Sequence, residues 1–361
     1  MASRVRLVAV RVLIVLTSND RRGAEVEGSQ LCEELRRAGL DATVVALRGG
    51  ARQPIDVPAL GARPLAPRVL SELRRRAAGV DVVVAFGSSA LPACALALVG
   101  SRTPFVYRSI GDPARWVRGR AHRWRTGLLF RRAVHVVALW PAASDVIGEL
   151  YGVPAARRSC IPNARPQTVV STDDERGAAR AGFDVPAGAP VVAWVGSFSS
   201  EKRPVAAVEA VAATPDSWLL MAGEGPLEQD VRAACERLLP GRHRLVGVVS
   251  PLEPVWAAAD AVLLTSSTEG MPGVLIEAAL HGVPAVAVLV GAVAEVVSDG
   301  VTGRVLPADV SPAQLAAALA DVHAHHADFG SAAREHAGAF TWPAVAPQWV
   351  DLLTKWGKPG P

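Results

Sequence analysis

No apolar run in this sequence reaches the ~20 residues that a membrane-spanning helix requires. Half of the 361 residues are hydrophobic, but Gly, Pro or charge cuts the stretches short, so the chain is not expected to cross a membrane. Cysteine is equally sparse. Cys32, Cys94, Cys160 and Cys235 stand far apart with no Cys-x-x-Cys spacing, which argues against a zinc site or a disulfide framework and predicts reduced core thiols in a cytosolic protein. There is no internal repeat at solenoid periods. No Gly-x-Gly-x-x-Gly follows a strand-like run, which makes a dehydrogenase a poor reading. His323, His325 and His326 form "HAHH", but no further ligand cluster joins them. A solvated helix face explains them more simply, and no metal is expected.

At this length the usual scaling favours two domains, and two domains invite a ligand cleft between them. The first apolar run, "RLVAVRVLIVLTSND", reads as a buried strand rather than a signal peptide. Arg11 interrupts it, and Asn19, Asp20, Arg21 and Arg22 stand where small cleavage-site residues belong. Further runs, "ATVVAL", "DVVVAF", "PFVYRS" and "HVVAL", are mostly β-branched and continuous, as strands covered on both faces should be. Between the first two strands, Val26, Leu31, Leu35 and Leu40 fall near helical spacing. The rhythm resumes in "VVAWVGS", "SWLLMAGEG", "HRLVGVV", "DAVLLTSS", "PAVAVL" and "GRVLPA". The expected fold class is α/β, with two parallel sheets in tandem. Between the halves, "IPNARPQTVVSTDDERGAARAGFDVPAGAP" is rich in Pro, Gly and charge, the composition of a linker, which puts the domain boundary between Arg165 and Val185.

The net charge of +4 conceals an asymmetry. Residues 1–180 carry 28 Lys and Arg against 15 Asp and Glu, whereas residues 181–361 carry 10 against 19. The basic half should face an acidic partner. Arg115–Arg132, "RWVRGRAHRWRTGLLFRR", holds seven arginines and no acid, with Val117, Ala121, Trp124 and Leu128 on one helical face. Two readings stay open. Either that face packs into its own domain, or the helix lies on an anionic membrane surface or an acidic acceptor, with Arg115, Arg118, Arg123, Trp124 and Arg125 in contact. Nucleic acid is not expected, since no recognition module accompanies the stretch.

Ligand chemistry is expected just after strands, where open α/β sheets bind. After "DAVLLT" comes "SSTEGMPGVLIEAALHGVPAVAV", in which Glu269 and Glu277 frame a Gly-Met-Pro-Gly turn. Gly270, Pro272 and Gly273 permit close backbone approach, and Val274–His281 reads as a helix stopped by Gly282 and Pro284. A diphosphate suits such a helix start, which combines N–H donors with the positive end of the dipole. Glu277 is placed to accept from a ribose diol, and Glu269 from sugar hydroxyls beyond the phosphates. One acid alone would be read as complementing the helix dipole, but two framing this turn after a strand favour a ligand. Lys202 and Arg203 lie at the edge of the helix that follows "VVAWVG".

The stretches "VGSFSSEKRP", "MAGEGPLEQDV", "AAADAVLLTSSTEGMPGVLIEAALHGVPAVA" and "AEVVSDGVTGRVLP" resemble the successive motifs of family 4 glycosyltransferases, retaining group 1 enzymes of the GT-B fold. The two glutamates have that family's seven-residue gap. The N-terminal half matches more loosely: "RRGAEVEGSQLCEELRRAGLDATVVAL" resembles the family's first Gly-rich loop and helix, and "IPNARP" its interdomain turn. The match spans most of the chain and is highly specific from about Val191 to Pro307.

The resemblance implies two Rossmann-like parallel-sheet domains facing a central cleft. An acceptor-side domain would cover 1–168, a nucleotide-sugar domain 169–342, and a segment near 343–361 would pack back onto the first. The implied activity is transfer of a sugar, with retention, from a UDP- or GDP-linked sugar to a lipid-linked, polysaccharide or small-molecule acceptor, with no cofactor or metal. Apart from the resemblance, the expected protein is cytoplasmic and a monomer or weak dimer, and the second of the two readings of the basic stretch would place it at the inner face of the membrane. Residue by residue, Lys202 would contact the donor diphosphate, where an ammonium offsets developing charge, and Glu277 would contact the ribose. Glu269 would hold the transferred sugar and Met271, Pro272, Gly273 and Val274 the phosphates, with Gly23 closing over them and the backbone near Val248 bordering the base. The pattern departs at two places. Ser197 stands where the family usually has a second basic residue, leaving Arg203 as the substitute. Gly111 and Asp112 stand where many members carry His, which makes Asp112 a catalytic candidate. The rival reading is a non-catalytic sugar-nucleotide sensor or scaffold, and turnover discriminates the two.

Overall fold

The computed structural model describes residues 10–50, 54–116 and 119–356. The chain divides into two compact units: one runs to Ala164 and resumes at Trp342, and the other is Arg165–Thr341. Each is built on a six-stranded parallel sheet.

In unit 1 the strands are β1 (Arg11–Ser18), β2 (Asp41–Arg48), β3 (Val82–Phe86), β4 (Phe105–Arg108), β5 (His135–Ala138) and β6 (Arg158–Cys160), in the order β2-β1-β3-β4-β5-β6. Its helices are α1 (Gly23–Arg37), α2 (Pro67–Ala77), α3 (Ala90–Ala97), α4 (Arg120–Arg132) and α5 (Pro141–Tyr151). The apolar runs become strands because a sheet covered on both faces buries every side chain, as it does throughout β3 and β4. The short β6, half-buried Arg-Ser-Cys, has no apolar run to announce it. In α1 the inward face is Leu31, Cys32 and Leu35, but Glu27 is buried where Val26 was expected. The reason is an ionic partner, described below.

In unit 2 the strands are β7 (Val191–Val195), β8 (Trp218–Ala222), β9 (His243–Leu245), β10 (Ala261–Leu264), β11 (Ala285–Val288) and β12 (Gly303–Leu306), ordered β12-β11-β10-β7-β8-β9. Its helices are α6 (Asp173–Gly182), α7 (Pro204–Ala212), α8 (Glu228–Leu238), α9 (Glu253–Ala258), α10 (Gly273–Leu280), α11 (Val293–Val296), α12 (Pro312–Ala324) and α13 (His326–Ala337). The C-terminal helix α14 (Trp342–Thr354) belongs to unit 1 and lays Val345, Trp349 and Leu353 into the core shared with Leu31 and Leu35 of α1. Each fully buried side chain of this size contributes ~1.5–3 kcal/mol.

The expected linker is corrected by the structure. Within 165–185, Asp173–Gly182 is helix α6, opened by a capping box in which Thr172 accepts from the Glu175 N–H and the Glu175 carboxylate accepts from the Thr172 N–H. The charges that suggested a loop are used in packing: Arg176 and Arg180 both donate to Asp260, at 2.8 and 2.7 Å. The division between units falls at Ala164/Arg165, at the start of this segment. There the Arg165 N–H donates to the Phe340 carbonyl, so the chain enters and leaves unit 2 side by side.

Candidate functional site

Unit 2 begins in the middle of its sheet at β7, runs outward through β8 and β9, and returns on the other flank of β7 with β10. The loops after β7 and β10 therefore part at a topological switch point, the place where open α/β sheets bind ligands. Several polar contacts tie the two loops together. The buried Thr265 hydroxyl, one residue past β10, accepts from Trp194 Nε1 at 3.1 Å and reaches the carbonyls of Lys202 and Arg203 at 2.9 and 3.0 Å. The Ser267 N–H donates to the Glu201 carbonyl. Lys202 Nζ then meets Glu269 Oε1 at 2.6 Å, with the carboxylate side chain 10% exposed. From beneath, Gly291 (φ +54°) presses on the Glu269–Gly270 backbone, where a Cβ would stand 2.4 Å from both carbonyl oxygens.

The second glutamate lies within α10, and its partner was not foreseen. Arg165 Nε contacts Glu277 Oε1 at 2.5 Å, and Arg165 is 9% exposed. The same guanidinium lies against Gly273, where a Cβ would stand 1.7 Å from Nη2. The α10 N-cap, Pro272, offers no side-chain cap. Met271 and Pro272 are buried, while Gly273 and Val274 are half-buried. The helix starts at Gly273 rather than Val274 and ends at Leu280. Sequence reasoning missed both Arg165 and Thr265. Thr265 was signalled by its place immediately after a buried strand; Arg165 had no local signal, since its partner is far along the chain.

The remaining residues are dispersed. Ser197 is exposed after β7. Arg203, the left-handed N-cap of α7 (φ +49°), points its guanidinium toward the Ala308 carbonyl at 3.5 Å. Val248 is 45% exposed beyond β9. In unit 1, Gly23 is the first residue of α1. Asp112 caps a turn: its Oδ1 accepts from the Ala114 N–H at 2.9 Å and its Oδ2 lies 3.8 Å from Arg115 Nε. Also in unit 1, Arg108 at the end of β4 is fully buried, bonded to Ala138 O, Ile161 O and Asn163 Oδ1, 3.3 Å from Glu27 Oε1 and over the Trp349 ring. Burial lowers the guanidinium pKa and the Glu27 carboxylate opposes that shift. This is the partner that turns Glu27 inward.

The basic stretch also differs from one of its two readings. Ala121, Trp124 and Leu128 do not pack into the unit: Trp124 is 67% exposed and Leu128 39%. The inward face is Gly127 and Phe130, because Phe130 stacks on Tyr151 and meets Tyr107 edge-on, with ring centroids 4.8 and 5.4 Å apart. Arg123 reaches the Leu150 and Glu149 carbonyls at the end of α5, a favourable site for a cation. Arg115, Arg120 and Arg125 are exposed. Val117 and Arg118 lie outside the described residues. No described helix is long and apolar enough to cross a membrane.

Two family models match the chain. Residues 189–325 match "Glycosyl transferases group 1", and residues 22–164 match "Glycosyl transferase 4-like domain". The chain is a group 1, family 4 glycosyltransferase. Among curated relatives, the D-inositol 3-phosphate glycosyltransferase of Mycolicibacterium gilvum is 33% identical over 198 residues, which is 52% of this chain and 43% of that protein. D-inositol 3-phosphate glycosyltransferase 2 of Catenulispora acidiphila is 32% identical over 233 residues, 59% of this chain and 54% of the relative. The match thus spans about half the length of these relatives. HepE of Anabaena, solved with UDP-glucose, superposes with a TM-score of 0.82 at 24% identity, covering 96% of this chain and 99% of that one. The two parallel-sheet units of this glycosyltransferase are those of the GT-B fold. Among the described residues no group of three or more His, Cys, Asp or Glu is placed to hold a metal ion.

Proposed function

We propose that this glycosyltransferase moves a sugar from a nucleotide-diphosphate sugar, UDP- or GDP-linked, to an acceptor hydroxyl with retention at the anomeric carbon. The observation that carries the reading is the Lys202–Glu269 pair at the β7/β10 switch point, beside the uncapped start of α10. HepE, a neighbour of the same fold, binds UDP-glucose. In this reading the α10 amides and Met271–Val274 take the diphosphate, Glu277 the ribose and Glu269 the transferred sugar, while the Val248 backbone borders the base and Ser197 completes the donor contacts. The acceptor oxygen forms its bond to the anomeric carbon as the bond from that carbon to the diphosphate oxygen breaks. The electron pair leaves with the diphosphate, and the acceptor proton passes to a departing phosphate oxygen on the same face. The Lys202 ammonium offsets the charge that develops there, which favours the transition state over the bound ground state. Arg203, drawn toward Ala308, contributes less than Lys202. Asp112, whose carboxylate caps the turn at Ala114, remains the catalytic candidate of unit 1.

The enzyme acts in the cytoplasm, at the inner face of a membrane. Exposed Trp124 and Leu128 flanked by exposed Arg120 and Arg125 support that part of the proposal, since an apolar ring with basic neighbours suits an anionic interface. Arg115 belongs to the same surface. The test of the reaction is turnover with UDP- and GDP-sugars, followed by NMR of the product. An α-linked product from an α-linked donor is expected. An inverted product would overturn retention, and binding without turnover would favour a sugar-nucleotide sensor.

A further inference from the structure

Arg165 occupies an unusual place for a cation. A helix N-terminus carries partial positive charge, so a guanidinium there is normally unfavourable. Yet the Arg165 guanidinium is almost fully enclosed and lies against Gly273, the first residue of α10, in space that any side chain at 273 would fill. Glu277, one turn into the helix, compensates the charge through its contact with Arg165 Nε. The Glu277 carboxylate is also the group that the donor-site reading gives to the ribose. On the opposite side of the switch point, Ser197 supplies no cation and Arg203 is turned toward Ala308. A site for a diphosphate therefore has one lysine on the β7 side and one buried arginine on the α10 side.

We propose that Arg165 is the second phosphate-binding cation of the donor site. It is held by Glu277 in the ligand-free protein and turns to the diphosphate when the ribose hydroxyls take over the Glu277 carboxylate. The inference rests on the donor-site reading above and extends it. An anion between the α10 amides and Arg165 removes the repulsion between them, and a guanidinium binds phosphate oxygens through two parallel N–H donors, for which lysine is a weaker substitute. Glycine at 273 is then required twice, for backbone approach and for room for the guanidinium.

The test compares UDP or GDP, whichever stabilises the wild-type chain, with its own nucleoside, which carries the ribose but no phosphate. Arg165→Gln should weaken the nucleoside diphosphate at least about tenfold, or about 1.4 kcal/mol, while nucleoside affinity holds or improves because Glu277 is released. Arg165→Lys should recover part of the loss. Gly273→Ala asks the same question without removing the arginine: its Cβ collides only with the far end of a flexible side chain, so the fold persists while Arg165 is displaced, and the same phosphate-dependent loss is expected. Unchanged diphosphate affinity in either variant, or equal loss for both ligands, would make Arg165 a structural tether and overturn the proposal. If neither UDP nor GDP binds the wild-type chain, the donor-site reading itself fails, and the inference with it.

Discussion

Lys202 Nζ and Glu269 Oε1 stand 2.6 Å apart, joining the loop after β7 to the loop after β10 at the point where the sheet changes direction. In the proposed reaction the ammonium acts most strongly as the diphosphate leaves. Lys202→Ala should therefore lower kcat on the order of 10²-fold with a smaller change in KM, measured by steady-state kinetics on the donor that binds. A loss confined to KM would show that the lysine binds donor and transition state equally.

The buried Thr265 hydroxyl is the link that sets the Lys202 loop on the sheet. Thr265→Val keeps the shape but leaves Trp194 Nε1 without this acceptor and the Lys202 and Arg203 carbonyls without this donor. Unfolding free energy should fall by ~1–3 kcal/mol in urea titration, with kcat reduced as Lys202 loosens. Stability within a few tenths of a kcal/mol of wild type would remove Thr265 from this role.

Much of this arrangement was readable in advance. The β-branched runs marked the parallel strands, and the Glu269–Glu277 spacing marked the turn and helix after β10. What stayed hidden were partners far apart in sequence. Nothing near Arg165 points to Glu277, and nothing near Glu27 points to Arg108, yet these pairs decide which way each side chain faces. Composition misled at 173–182, where Asp, Glu and Arg looked like a linker although Thr172 and Glu175 form a capping box. In α4 periodicity grouped Trp124 with Leu128 but left open whether that face turns inward; it is exposed, because Phe130 instead joins the Trp116 and Tyr151 rings.

Glu25 is buried in the first turn of α1, and desolvation raises its carboxyl pKa above the ordinary 4.5, the Glu25 backbone N–H only partly opposing. The folded protein thus holds this proton more tightly than the unfolded chain does. The associated stability is present below the unfolded value and is lost as pH rises through the folded one. Glu25→Gln should raise Tm at neutral pH, with the gain vanishing below about pH 4. An equal or lower Tm at neutral pH would contradict the sign.

Replacing Arg120, Trp124 and Arg125 together by Ser should reduce sedimentation with vesicles containing anionic lipid and leave nucleotide binding in unit 2 unchanged. Neutral vesicles should retain neither protein. The wild-type interaction should fade with added salt, since exposed charges are screened beyond ~8 Å at physiological ionic strength. Equal sedimentation of the two proteins would make this face a solvated one.

The central claim, that the β7/β10 edge holds a nucleotide diphosphate, is tested most directly by thermal unfolding with UDP, GDP and their sugar conjugates. A ligand that binds only the folded chain raises stability with occupancy, by about 2.7 kcal/mol at a concentration 100 times its Kd. One nucleotide series should raise Tm progressively with concentration, and Glu277→Ala should abolish most of the rise. A flat Tm across both series, or an undiminished shift in Glu277→Ala, would contradict this placement of the donor.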